Sequence, residues 1–125
     1  METYDPRHGP DPTEWLELDE SERIALVHEQ HLHAREKAEN LHLHAGIHAA
    51  VETQIASALP AGVRETLARL MREGLDRHDA IHAIGSVLSA RLFQLARNEA
   101  PPGDPNVHYV ADLAALTAER WRTSG

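Results

Sequence analysis

The stretch NLHLHAGIHAAVE, Asn40 to Glu52, decides the fold. At about 100° per residue, Leu43, Ile47 and Val51, followed by Ile55, sweep one arc of a helix. His44, His48 and Glu52 form the column beside that arc. The imidazoles thus flank the apolar face of this helix. Asn40 suits the N-cap position, and the helix is expected to run through Leu59, where Pro60 ends it.

Working outward, the same signals recur. Asp19 reads as an N-cap with Glu20, Ser21 and Glu22 in the first turn, opening a helix to about Glu39. Thr13 to Leu18 predicts a short helical turn carrying Trp15 and Leu16 to the core. Pro60-Ala61-Gly62 opens a helix stopping near Gly74, and Asp76 caps another through Asn98, with Ile81, Ile84, Leu88, Leu92 and Leu95 as its buried stripe. The break Ala100-Pro101-Pro102-Gly103-Asp104-Pro105 precedes a weaker helical pattern from Val107 to about Trp121. The expectation is all-α: a small antiparallel bundle of four to five helices. Residues 1–12 read as an extended lead-in, 13–122 as a single helical metal-binding domain, and 123–125 as a frayed tail.

Composition narrows the chemistry. A chain of 125 residues makes one domain able to bury a core. Its formal charge is −8 with neutral histidine, so it lacks the basic clusters that neutralise phosphates, and nucleic acid is not an expected partner. The absence of cysteine excludes disulfides, thiolate metal sites and cysteine nucleophiles, and suits a cytoplasmic protein. No apolar run approaches the roughly 20 residues that span a bilayer, so no membrane association is expected. Arg64, Arg69, Arg72, Glu65 and Glu73 are spaced for surface ion pairs.

The ten histidines carry the functional argument. His78 and His82 repeat the four-residue spacing of His44 and His48, and both pairs flank a buried stripe. Imidazoles so spaced lie one helical turn apart and can share an ion at about 2.0–2.1 Å each. Random placement would give roughly 0.7 such pairs, so spacing alone is weak; the added weight comes from convergence. His28 and His31 fall on the inner face of the helix after Asp19, whereas His33 and His42 point away, His8 lies in the lead-in and His108 starts the last helix. The expected ligands are His31, His44, His48, His78 and His82, holding one or two divalent ions of zinc, iron or manganese. Glu52 and Glu29 are the candidate general bases. Glu52, at the edge of its arc, is also placed to orient an imidazole from behind. Gly85, between His82 and the stripe in angle, would let another helix approach.

From Asn40 to Arg97 the chain resembles an uncharacterised bacterial family known only as a domain of unknown function. The matching features are LHLHAGIHAAVETQ with His44 and His48, Leu59-Pro60-Ala61-Gly62-Val63-Arg64, and HDAIH from His78 to His82. Glu29-Gln30-His31 loosely resembles a Glu-x-His of the same family. The resemblance implies a helical fold and the paired histidines as one shared site, and supplies no reaction.

The leading expectation is a metal-dependent hydrolase that activates water against a small-molecule ester or phosphoester. A hemerythrin-like di-iron oxygen or redox protein shares the ligand inventory but not its order, and a closed, structural metal site is the third reading. A homodimer is expected from the apolar last helix.

Overall fold

The computed structural model describes residues 1–34 and 40–124. The described residues form seven helices and no strand: α1 (Pro12–Glu17), α2 (Glu20–His33), α3 (Leu41–Ser57), α4 (Val63–Arg72), α5 (Arg77–Ala96), α6 (Pro105–Ala115) and α7 (Ala118–Ser124). The expected extension of α2 to Glu39 lies outside the described residues.

The polar caps fall where the sequence places them. Asp19 accepts the Glu22 amide at 2.8 Å while Glu22 returns the bond to the Asp19 amide at 3.2 Å, a reciprocal box that starts α2. Asn40 accepts from the Leu43 amide and Asp76 from the Asp79 amide, fixing the starts of α3 and α5. Ala58 closes α3 in a left-handed conformation, and the Leu59 amide returns to the Gln54 carbonyl at 3.1 Å. Arg64 does not join the surface ion pairs expected of it. Its guanidinium donates to the Ile55 carbonyl at 2.7 and 3.1 Å, satisfying the exposed end of α3.

Helix α3 is the central element, packed by α1 and α2 on one side and by α4 and α5 on the other. Its two flanks bury separate apolar clusters. Val51 joins Val63, Leu70, Ile81, Ile84 and Leu113 in the larger one, while Ala45 and Ala49 meet Tyr4, Trp15 and Val27 in the smaller. Each fully buried aliphatic side chain contributes about 1.5–3 kcal/mol relative to exposure. The small alanines let α2 and the Trp15 ring lie close against α3.

Leu43, on the arc of α3 expected to be buried, is exposed, and three further expectations change. Leu16 is exposed and only Trp15 reaches the core, its indole N–H donating to Thr53 Oγ1 at 3.0 Å. Leu92 and Leu95 are also exposed, because α5 outruns the helices that cover its first half. The last helix is split at Leu116 and Thr117, where Leu116 turns extended and the Ala118 amide donates to Glu73 Oε1 at 2.9 Å. Among the described residues no helix is long and apolar enough to cross a membrane.

Candidate metal centre

Three helices converge where α3 crosses between α2 and α5. His31 comes from the last turn of α2, His48 from α3, and His78 and His82 from the first turns of α5. Gly85, one turn beyond His82, makes the approach possible: a Cβ there would sit 3.2 Å from Ile47 Cγ2. Four imidazoles, His31, His48, His78 and His82, each offer a ring nitrogen, and these nitrogens all lie within 4.8 Å of one another. His31 and His48 are buried, the other two half-buried.

Within this group His31 Nε2 and His48 Nδ1 stand 3.1 Å apart. His44, one turn before His48, joins at the edge, its Nε2 3.3 Å from His82 Nε2. Adjacent donors on a tetrahedral ion with bonds of about 2.0–2.1 Å are separated by about 3.3 Å, a spacing near that of the His31–His48 pair; His44, an expected ligand, falls outside the four-nitrogen group. The donor set is all nitrogen and all neutral in kind, which suits zinc and other imidazole-binding transition ions.

The electrostatics keep the rings ready for a cation. Burial, reinforced by the neighbouring imidazoles His44, His78 and His28, lowers His31 to about 4. Burial with His78, His44 and His31 nearby lowers His82 to about 3. His48, the most enclosed, is held well below the ordinary histidine range, again first by burial and then by His82 and His31. At neutral pH these three are uncharged with lone pairs available, the state a metal ligand requires.

Behind His48 stands a polar ring that the sequence does not announce. Tyr4, from the N-terminal segment, places its hydroxyl 2.9 Å from His48 Nε2 and donates a short hydrogen bond to Glu52 Oε2. Arg77, the first residue of α5, grips both oxygens of Glu52 at 2.7 Å each and donates to the Pro6 carbonyl at 2.9 Å. Glu52 is 1% exposed and Tyr4 5%. Burial and the adjacent Glu52 charge hold the Tyr4 phenol well above its ordinary range, so it stays protonated. The N-terminal segment is therefore a strap across the site, without helix but anchored, and Tyr4 and Arg77 are the residues missed.

The two expected general bases are placed otherwise. Glu52 lies beside the cluster with its carboxylate committed to Arg77 and Tyr4. Glu29, two residues from His31 and so about 200° around α2, faces outward, 3.6 Å from His33, on a separate cavity shared with Glu22 and the N-terminal residues. His28 packs edge-on to His42 and is not one of the four, though near enough to His31 to disfavour its charged form. His8 pairs with Asp5, and His108 Nε2 bonds the Pro102 carbonyl at 2.8 Å.

An opening reaches the cluster. A cavity of about 380 Å³ between α3 and α5 has His44, His48 and His82 in its wall with Ile47, Gly85 and Trp121. Its described lining carries no lysine, arginine or carboxylate. This size and mixture, largely apolar with a few convergent polar atoms, are those of a small-molecule site.

Residues 13–115 match the family model described as Domain of unknown function (DUF1841). The match extends on both sides of the segment whose motifs carry the resemblance. No curated protein and no solved structure matches the chain.

Proposed function

The chain belongs to the DUF1841 family, and from that premise we propose that it is a metal-dependent hydrolase whose single divalent ion is held by His31, His48, His78 and His82. The observation that carries the reading is the meeting of four imidazole nitrogens within 4.8 Å, two of them, on His48 and His82, belonging to residues that line a cavity. Neutral donors leave the ion its full charge, and an ion so held lowers the pKa of a coordinated water toward neutrality. His44, on the cavity wall 3.3 Å from His82, is assigned as the proton acceptor, in place of the expected carboxylates. The substrate class is a small-molecule ester or phosphoester, whose attack by metal-activated water is the chemistry such an ion supplies.

The donor set does not favour the di-iron alternative. Such centres depend on carboxylates that bridge or bind the metals, and Glu52, the carboxylate in line with His44 and His48, is held by a guanidinium on both oxygens. A closed structural ion would be saturated by the same four imidazoles, so the hydrolytic reading requires a further coordination position for water beside His48 and His82, the two donors that line the cavity.

Elemental analysis of the purified protein, with chromogenic ester hydrolysis, tests the proposal. The expected result is near-stoichiometric metal, lost in the His48→Ala/His82→Ala variant together with activity. His44→Ala should keep the metal and lose about 10²-fold in kcat. Bound metal without turnover on any ester would assign the structural role; absence of metal after loading with zinc, manganese or iron would defeat both.

A further inference from the structure

We infer that Tyr4, Glu52 and Arg77 act as positioning residues of the metal centre, locking His48 in the tautomer that carries its proton on Nε2 and turning Nδ1 toward the other imidazoles. This rests on the proposed metal site for its purpose, but the tautomer follows from hydrogen-bond inventory alone.

A guanidinium only donates, and Arg77 gives two parallel bonds to Glu52, so the carboxylate is ionised and only accepts. The same Oε2 receives the Tyr4 hydroxyl hydrogen. Its one proton spent, the phenol oxygen has only lone pairs to offer His48 Nε2 at 2.9 Å. The hydrogen in that contact must then sit on Nε2. A neutral imidazole has a single N–H, so Nδ1 is bare, and it is the atom 3.1 Å from His31 Nε2 at the heart of the cluster. Burial of His48, Tyr4 and Glu52 to 5% exposure or less keeps water from offering another arrangement.

Stability alone is a poor reason for this ring. A buried ion pair is often no better for stability than well-packed apolar groups of the same volume. Arg77 moreover sits at the N-terminus of α5, where a cation meets the positive end of the helix dipole. What the pair does accomplish is geometric: it ties α5 to α3 one turn past His48, and so fixes the rotational phase at which α5 delivers His78 and His82.

The chain from His48 through Tyr4 to a carboxylate is a lengthened form of the outer hydrogen bonds that commonly orient metal-binding histidines. Those bonds typically matter by 10–100-fold in affinity.

The test uses full-length protein, wild type and Tyr4→Phe, which keeps the ring and removes the accepting oxygen. Long-range proton–nitrogen NMR on the metal-free protein at neutral pH should show wild-type His48 as the Nε2–H tautomer, and Tyr4→Phe as a mixture. Competition with a chromophoric chelator should show zinc and cobalt bound about 10–100-fold more weakly by Tyr4→Phe, with an altered cobalt visible spectrum. Wild-type His48 found as the Nδ1–H tautomer overturns the inference, whatever the variant does, as does Tyr4→Phe with unchanged tautomer and affinity. Wild-type protein that binds neither ion defeats the metal reading instead.

Discussion

At the scale of single residues, Arg77 and Glu52 make the sharpest demand on the fold. Arg77→Met should cost about 3–5 kcal/mol, because Glu52 is left as an uncompensated carboxylate in an almost waterless place. Arg77→Met combined with Glu52→Leu should recover much of that loss while metal affinity stays low. Urea titrations of both variants, with metal binding measured in parallel, separate the stability effect from the positioning effect. These residues also mark the limit of what the sequence discloses. His44, His48, His78 and His82 announce themselves because their spacing is local and belongs to helices that can be inferred. Tyr4 and Arg77 act on Glu52 across separations of 48 and 25 residues, and Tyr4 lies in a proline- and glycine-rich segment with no period to read. The clue available was Glu52 itself, a carboxylate in line with two histidines. It orients His48 indirectly, through a tyrosine that no pattern supplies.

At the scale of elements, starts were legible and lengths of cover were not. Asp19, Asn40 and Asp76 each cap the helix expected of them, since capping is settled within four residues. The stripe on α5 continues through Leu92 and Leu95, yet periodicity reports only that a face exists and not how far a neighbour extends along it. The division of the last helix at Leu116 and Thr117 was equally hidden, because Glu73 of α4 supplies the acceptor for Ala118 from 45 residues away. Gly62 provides a test at this scale. It precedes α4 at φ 105°, and an added Cβ would lie 3.1 Å from Val110 Cγ1. Gly62→Ala should therefore destabilise the protein by about 1–3 kcal/mol, seen as a lower Tm. The histidine helices α2, α3 and α5 are all capped at other residues, so zinc stoichiometry should not change.

At the scale of the whole molecule, the histidine cluster ties stability to pH and, on the proposed reading, to metal. His31 and His82 titrate near 4 and 3 in the folded chain, against about 6.5 when unfolded. The unfolded chain thus takes up protons first as the pH falls. The stability these residues contribute is whole above about pH 6.5 and is lost progressively as the pH drops toward 4 and 3. Urea midpoints for the metal-free protein should fall steadily from pH 7 to pH 4. Zinc at a hundredfold excess over its dissociation constant should add about 2.7 kcal/mol at neutral pH. Removing residues 1–10 takes away both Tyr4 and the Pro6 carbonyl; helical circular dichroism should persist while zinc affinity drops at least as far as in Tyr4→Phe. The strap carries one more consequence, for the order of events in the cell. Tyr4 leaves the ribosome before its partners at positions 52 and 77, and three of the four nitrogen donors emerge only with α3 and α5. A nascent chain that has not passed His82 cannot bring the four nitrogens together, so on the proposed metal reading an ion would be taken up only after synthesis of α5, and a prematurely terminated product would hold none.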